Sequence, residues 1–354
     1  MVAGSRQLAI LESNEMEAAS AVRPRDSLRV ATYNILAGGG DRWPAIREVV
    51  ESLDPDVLAL QEIEDPEPME AMARALGYQP YFGPAPRFRH QGLLSRVPVA
   101  RFRNHQHPEA WPRNSIEVEL ELGPDSRFPR LGVHTVHLTA AFQRRGRAEP
   151  DRLRELGAIR EQARAKPVIP HLILGDFNSM APGDGIHATD FLGLLSEWRR
   201  TGVLDEVGAL GPVPASVRAM RWWRDPGRSA AEVSEVARAG IPRLPWLVHP
   251  LIEMVPRGEG TDALVAALMP RAAVRSMIDA GYVDCLRRVD ETSESFTCPT
   301  YLPAVRIDYI FATSDLADRL VSCGVGAQDD ALAAVAKLAS DHFPVVADFD
   351  LSTA

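Results

Sequence analysis

The chain has 354 residues, of which 45% are hydrophobic and 25% charged, and its formal net charge is −9 at pH 7. This length allows one large domain or two small ones, and the composition is that of an ordinary soluble globular protein. The negative charge excludes a protein whose whole surface is built to coat nucleic acid, although a local basic groove remains compatible with it.

The cysteines and the first residues bear on the cellular setting. Cys285, Cys298 and Cys323 are odd in number and lack the spacing of a metal motif, which predicts a reduced, cytoplasmic protein. Residues 1–27 lack the basic region and the long apolar core of a secretory signal. We expect a flexible N-terminal tail, or a short helix, before the first strand. No stretch of the sequence reaches the length and apolarity of a membrane span.

The first predicted elements alternate between strand and helix. Leu28–Leu36 is apolar and β-branched, as in a buried strand. Trp43–Leu53 has the apolar spacing of a helix, with a proline in its first turn. Val57–Leu60 predicts a second buried strand that ends at Gln61-Glu62, and Glu67–Leu76 predicts a second helix.

Short strands dominate the next part of the chain. Ser115–Leu122 alternates between apolar and polar residues, which predicts a half-buried antiparallel strand. Leu131–Leu138 predicts another strand, Pro150–Ala165 a helix with one apolar face, and Val168–Leu174 a buried strand.

The pattern changes between about residues 186 and 295, where helical patterns replace the strands, and strands resume at Arg306 and end with Phe343–Leu351. We therefore predict an α/β (α+β) fold in which two mixed β-sheets pack face to face with helices outside. Residues 28–354 are expected to form a single domain with an inserted helical segment at about 186–295.

Polar motifs end the predicted buried strands. They are Thr32-Tyr33-Asn34, Leu60-Gln61-Glu62, Val136-His137-Leu138, Gly175-Asp176-Phe177-Asn178, Arg306-Ile307-Asp308-Tyr309 and Ser340-Asp341-His342. Strand ends that carry these residue types gather oxygen ligands and an imidazole at one rim of the fold. Such a rim suits a hard divalent cation and a phosphoester, whose negative charge must be neutralised before a water can attack.

The carboxylate of Glu62 is the main candidate for a magnesium ligand, because Mg²⁺ is typically held by one or two carboxylates. Asn34 can add an amide oxygen or bind the phosphate. Asp176 and Asn178 lie two residues apart, so on extended backbone both face one side. One can then orient a water while the other donates to a phosphoryl oxygen.

Asp341-His342 joins a carboxylate to an imidazole at a third strand, and Asp308 can orient that imidazole and stabilise its charge. Taken together, these motifs resemble the endonuclease/exonuclease/phosphatase superfamily. That group includes pancreatic-type deoxyribonucleases, apurinic-site endonucleases, neutral sphingomyelinases and inositol-polyphosphate 5-phosphatases. The resemblance covers roughly Leu28–Asn178 and Arg306–Leu351, and Gly92–Arg96 resembles a further strand of the family.

The resemblance implies a four-layer α/β sandwich and a metal-dependent phosphoester hydrolase. It implies that Glu62 is the metal carboxylate, that Asn34 is a ligand on the metal or phosphate side, and that Asp341 is a carboxylate on the metal side. Mg²⁺ is the implied cofactor, with Mn²⁺ as the alternative.

The resemblance also assigns catalytic roles. His137 contacts the phosphate and acts as the acid in some branches, Asp176 orients or deprotonates the attacking water, and Asn178 binds the phosphoryl oxygen. His342, supported by Asp308, is the general base or stabilises the transition state. Branches of the family differ on which residue is the base, so both Asp176 and His342 remain candidates.

Basic and aromatic residues near the predicted rim are candidates for substrate binding: Arg96, Arg144, Arg145, Trp222 and Trp223. Arginine beside tryptophan fits base stacking with phosphate contact. It also fits a helix at a membrane interface, or a surface helix whose tryptophans anchor the insertion onto the core.

The predicted function is a Mg²⁺-dependent phosphodiesterase of nuclease type, acting on a nucleic acid or on a small or lipid phosphodiester. The alternatives are a lipid-headgroup or inositol-phosphate hydrolase of the same superfamily and a non-catalytic scaffold. An abasic-site enzyme is disfavoured, because many of those carry tyrosine where this chain has His137. We expect no obligate protein partner.

Overall fold

The computed structural model describes residues 26–86, 89–107, 111–140, 148–164, 169–193, 254–291, 294–300, 302–326 and 329–353. Most of the predicted N-terminal tail lies outside the described residues, as do Arg144, Arg145, Trp222 and Trp223. Among the described residues, no helix combines the length and the apolarity needed to cross a membrane.

Two six-stranded sheets form the centre of the protein. Their strands are β1 (Ser27–Asn34), β2 (Val57–Ile63), β3 (Gln79–Gly83), β4 (His90–Ser95), β5 (Val99–His107), β6 (Trp111–Glu121), β7 (Arg130–His137), β8 (His171–Asp176), β9 (Val283–Asp284), β10 (Asp308–Ala312), β11 (Leu320–Val325) and β12 (Val345–Asp350). Sheet A has the order β11-β12-β1-β2-β4-β3, and sheet B has the order β5-β6-β7-β8-β10-β9. Each sheet mixes parallel and antiparallel pairs, such as β1 with β2 and β1 with β12.

The described helices are α1 (Trp43–Leu53), α2 (Pro66–Leu76), α3 (Ala148–Arg164), α4 (Glu259–Leu268), α5 (Ala272–Asp279), α6 (Cys285–Val289), α7 (Ser314–Ala317) and α8 (Asp330–Ala339). Helix α1 has the predicted bounds, and α2 begins one residue earlier than predicted. Asp65 caps α2 by accepting from the Glu67 N–H, and Gly77 ends it in the left-handed conformation.

Alternate residues of each central strand face different layers. In β1, Leu28 and Val30 belong to the core between the two sheets. Ala31 and Tyr33 face outward and pack beneath α1, α2 and α8. The outer face of sheet B is covered by α3 and α5. The layers therefore run helix, sheet, sheet, helix, which confirms the predicted α/β fold with two mixed sheets face to face.

The C-terminal part of the predicted insertion is built into the main body. Strand β9 pairs with β10 and so extends sheet B. Helix α5 places Val274 and Met277 in the same outer core as Leu156 of α3. The sequence pattern did not separate these elements from the insertion, because an amphipathic helix has the same periodicity whichever surface it covers.

A candidate active-site rim

Sheet B contributes a row of three polar side chains at one rim of the layer between the sheets. His137, Asp176 and Asp308 are register partners on β7, β8 and β10. Each continues the inward-facing alternation of its strand, as Leu174 does in β8. Asn34 extends the inner face of β1, and its Nδ2 donates to Asp176 Oδ2 at 3.0 Å. The rim thus joins both sheets.

Glu62 reaches the rim through a β-bulge. Ala59 faces the inner core, so strict alternation along β2 would turn Glu62 to the opposite face. The pairing of β2 with β4 shifts register between Gln61 and Ile63, and Glu62 has a φ of 66°. A bulge adds one residue and re-aims a side chain. Glu62 Oε1 consequently lies 3.6 Å from His137 Nε2.

The Gly-Asp-Phe-Asn segment makes a tight turn that fixes Asp176. Gly175 has a φ of 142°, and a Cβ there would lie 1.9 Å from the carbonyl oxygen of Val136, so only glycine fits. Asn178 has a φ of 48°. Its backbone N–H donates to Asp176 Oδ1 at 2.8 Å, and its Nδ2 donates to Asp176 Oδ2 at 3.0 Å.

Burial and the neighbouring Asp308 charge raise the pKa of Asp176 to about 7, against the lowering influence of His342 and the Asn178 N–H. A carboxyl with this pKa exchanges its proton near neutral pH, which is the range in which a general base is most effective.

His342 and Asp308 form a buried pair, with His342 Nδ1 2.8 Å from Asp308 Oδ2. Burial by itself lowers the pKa of His342, but the Asp308 charge and other neighbours raise it well above its ordinary value. The imidazole is therefore a cation at neutral pH. The second oxygen of Asp308, Oδ1, is buried and has no hydrogen-bond partner among the described residues. Asp176, Asp308 and His342 each offer a ligand atom within 4.8 Å of the other two.

Glu62, Asn34 and Asp341, which the sequence analysis selected as metal ligands, each carry side-chain oxygen donors. Burial raises the pKa of Glu62, but the Arg89 charge and the Ala37 N–H bring it below its ordinary value. Burial raises the pKa of Asp341, and the Glu62 charge raises it further, so the two carboxylates interact electrostatically. Hard oxygen donors of this kind suit Mg²⁺ or Mn²⁺.

Arg113, which the sequence analysis did not select, and Arg89 also enter the rim. Arg113 on β6 is buried, and its Nη1 lies 2.6 Å and 2.8 Å from the ring nitrogens of His137. Arg89, just before β4, places Nη1 2.5 Å from Glu62 Oε1. Burial and the Arg113 charge lower the pKa of His137 well below its ordinary value, so this imidazole is neutral.

The structure does not bring Arg96 to the rim. β4 runs antiparallel to β2, and Ser95 pairs with Val57 at the opposite end of β2 from Glu62. The Arg96 guanidinium lies 4.2 Å from the centre of the Tyr78 ring and contacts Asp54 Oδ1 at 2.5 Å. Arg96 therefore makes stabilising contacts at the end of sheet A opposite the rim.

A buried ion-pair network supports the start of β10. Arg306 contacts Asp184 Oδ2 at 2.8 Å and Asp284 Oδ2 at 2.7 Å, and Arg287 contacts Asp184 Oδ1 at 2.8 Å. The network ties the segment that follows Asn178 to the residues just before Asp308. A cavity of about 270 Å³ opens beside it and is lined partly by Arg287 and Arg306.

Solved structures with the same fold include the AP endonuclease from Archaeoglobus fulgidus, with a TM-score of 0.56 and 18% sequence identity over 91% of this chain and 99% of that one. The 3'-5' exonuclease NExo from Neisseria meningitidis has a TM-score of 0.56 and 17% identity over 91% of this chain and 100% of that one. Truncated Caenorhabditis elegans TDP2 has a TM-score of 0.51 and 16% identity over 92% and 97%. At these identities the similarity shows the fold.

A sequence comparison with curated proteins finds no significant match. The profile of the Endonuclease/Exonuclease/phosphatase family, in contrast, matches residues 31–342, which include every described residue of the rim. The chain therefore belongs to the endonuclease/exonuclease/phosphatase family and is a metal-dependent phosphoester hydrolase of that type.

Proposed function

We propose that this protein is a Mg²⁺-dependent phosphodiesterase of nuclease type, in which the rim binds one phosphate and activates a water against it. The observation that supports the proposal most strongly is that oxygen donors lie beside two acid–base groups with differently shifted pKa values. Asp176 has a pKa near neutrality, and the cationic His342 is paired with Asp308.

Glu62, Asn34 and Asp341 are proposed to hold the cation. Their donor atoms are carboxylate and amide oxygens, which match the preference of Mg²⁺ and also accept Mn²⁺. Asn34 Oδ1 already accepts from the Leu36 N–H at 3.0 Å, but a carbonyl oxygen has a second lone pair. When bound, the cation neutralises phosphate charge and acts as a Lewis acid.

Asp176 is proposed as the residue that takes the proton of the attacking water, because its pKa of about 7 lets it accept a proton near neutral pH. Its two hydrogen bonds from Asn178 fix the orientation of the carboxylate. His342 is already protonated at that pH and is poorly suited to accept another proton. We therefore propose that His342 stabilises negative charge on the phosphoryl oxygens, with Asp308 holding its ring.

Arg113, Arg89, Asn178 and the neutral His137 are proposed to bind the phosphate. Arginine presents several N–H donors in a planar fork that matches phosphate oxygens. Burial is the first cause that lowers the pKa of Arg113, followed by the Arg89 charge, so these two cations repel each other. An anionic phosphate between them would relieve that repulsion.

A nucleic acid is the preferred substrate class. Related solved structures are described as an AP endonuclease and as a 3' phosphatase bound to product DNA hairpin. The second candidate, a lipid or inositol phosphodiester, depends on Arg144, Arg145, Trp222 and Trp223, which lie outside the described residues. Three free cysteines support the proposed cytoplasmic location.

The test is the hydrolysis of bis(p-nitrophenyl) phosphate against p-nitrophenyl phosphate with Mg²⁺, Mn²⁺ or EDTA. The proposal expects turnover that needs a metal and favours the diester. A short oligonucleotide and phospholipid vesicles are then compared as substrates. Preference for the monoester, or turnover in EDTA, would contradict the proposal, and selective cleavage of the vesicle lipid would favour the second candidate.

A further inference from the structure

Cys298 lies beside the catalytic rim, and backbone hydrogen bonds hold it there. The Thr300 N–H donates to the Asp341 carbonyl at 2.8 Å, and the Phe343 N–H donates to the Thr297 carbonyl at 2.7 Å. The Thr300 hydroxyl also donates to the Ser340 carbonyl at 2.7 Å. These contacts fasten the segment around Cys298 to the Ser-Asp-His motif on both sides.

The side chains of Cys298, Asp341 and His342 converge. The sulfur of Cys298, a carboxylate oxygen of Asp341 and a ring nitrogen of His342 lie within 4.8 Å of one another. Asp341 and His342 are buried and Cys298 is partly buried, so the three atoms meet in a sheltered space. Asp341 Oδ1 lies 4.0 Å from His342 Nε2, which shows that the carboxylate is on the Nε2 side of the ring.

The Asp308–His342 pair orients the imidazole for metal binding. Nδ1 is engaged by Asp308 Oδ2 at 2.8 Å, which leaves Nε2 for a ligand on the side of Asp341. A carboxylate that binds one ring nitrogen while the other binds a metal is the usual support of a histidine ligand. The arrangement therefore contains three candidate ligands and a second carboxylate that fixes the ring of one of them.

We propose that Cys298, Asp341 and His342 form a site for a thiophilic divalent cation of the zinc class, distinct in chemistry from the magnesium site. One sulfur, one nitrogen and one oxygen donor match the ligands of Zn²⁺, whereas Mg²⁺ takes oxygen ligands. In tetrahedral zinc sites with bonds of about 2.0 to 2.3 Å, neighbouring ligand atoms are about 3.3 to 3.6 Å apart. Because the three ligand atoms lie within 4.8 Å of one another, they need to approach by at most about 1.2 to 1.5 Å to reach that geometry. The thiol proton of Cys298 and the Nε2 proton of the His342 cation are both released to solvent on binding.

Binding at this site would occupy His342 Nε2 and Asp341. This consequence rests on the proposed function: the protein is then activated by Mg²⁺ and inhibited by Zn²⁺ that binds through Cys298. The binding itself does not depend on the proposed function, because it needs only the three ligand atoms.

The test uses Co²⁺ as a spectroscopic probe of the full chain, followed by Zn²⁺ displacement. Wild type is expected to show a thiolate-to-cobalt charge-transfer band that Zn²⁺ abolishes. Cys298→Ser is expected to lose the band and to bind Zn²⁺ at least about 100-fold more weakly, because the thiolate ligand is gone. Cys323→Ala, which removes the thiol of β11, is the matched control and should keep the band.

A band that persists in Cys298→Ser, or its absence from wild type, would overturn the proposal. Circular dichroism and a second variant, Cys298→Ala, show whether either result comes from misfolding. Inhibition of phosphodiester hydrolysis by Zn²⁺ is then measured in each variant relative to its own zinc-free rate. If wild type shows the cobalt band but no Mg²⁺-dependent turnover, the site stands and the proposed function fails.

Discussion

The charge of Asp176 is expected to destabilise the metal-free protein at neutral and higher pH. Its pKa is about 7 in the folded protein against an ordinary value of 3.8. A raised carboxyl pKa means that the folded state holds its proton longer than the unfolded chain does, so stability falls as pH rises from the unfolded to the folded pKa. Each pKa unit is worth about 1.4 kcal/mol, which gives roughly 4 kcal/mol above pH 7.

The Asp176→Asn variant removes this charge. We expect its free energy of unfolding relative to wild type to rise by roughly 3 kcal/mol between pH 5 and pH 8, because the penalty in wild type grows by about 1.4 kcal/mol per pH unit up to pH 7. Hydrogen bonds altered by the amide contribute equally at both pH values and cancel. The assay is urea unfolding in EDTA across that pH range.

Asp348→Asn is the control for this measurement. Burial raises the pKa of Asp348, but the hydrogen bonds from Arg29 and Ser322 and the Arg29 charge together bring it below its ordinary value. The stabilisation from this carboxylate is therefore present above the unfolded pKa and disappears only in acid. Asp348→Asn should lower the free energy of unfolding by the same amount at every pH between 5 and 8. A difference between Asp176→Asn and wild type that does not change with pH would refute the electrostatic account of the rim.

Three further variants test other parts of the account. Arg113→Lys should raise KM about 10-fold or more with a smaller change in kcat, because lysine lacks the planar fork that binds phosphate. An unchanged KM would show that Arg113 does not bind the phosphate. Asp308→Asn should lower the pKa of His342, seen by NMR titration of its ring, and reduce kcat; an unmoved titration would contradict the pairing. Arg306→Met should lower the free energy of unfolding by about 3 to 5 kcal/mol, because it leaves the buried Asp284 without its cation, while Asp184 keeps only Arg287. Arg29→Met, at an exposed ion pair, should cost less than about 1 kcal/mol, and equal losses in the two variants would contradict the buried network.

Much of the rim follows from strand alternation. Each of four residues ends or begins a strand and shares the inward face of its apolar core residues, which places it where the core meets the rim: Asn34, His137, Asp176 and Asp308. The two sheets then bring them together. The position of Asn178 could be predicted because glycine and asparagine favour the tight turn in which it lies.

Other parts of the site depend on pairing that one sequence does not show. Glu62 points to the rim only because a bulge interrupts its strand. Arg113 reaches His137 because β6 and β7 are antiparallel neighbours. Strand direction also explains why Arg96 lies away from the rim. The start of β4, next to Arg89, lies at the rim, and Arg96 follows the other end of that strand. The direction of β4 relative to β2 is set by tertiary packing.

The packing surface of the predicted insertion could not be predicted from the sequence either. Val274 and Met277 have the spacing of an amphipathic helix, but that spacing does not name the surface on which the helix packs. In the structure they cover sheet B beside α3. The outer layer of sheet B is therefore completed by residues from the segment predicted as an insertion.

We propose that the rim hydrolyses a phosphodiester with the help of Mg²⁺. The most direct test is the initial rate of bis(p-nitrophenyl) phosphate hydrolysis as Mg²⁺ is added back after EDTA treatment. Wild type and Glu67→Gln, which changes an exposed glutamate on α2, should recover turnover together. Glu62→Gln and His342→Gln should remain at least about 100-fold slower at every Mg²⁺ concentration. Full recovery in either of these two variants would contradict the assignment of the rim as the place where the phosphodiester is hydrolysed.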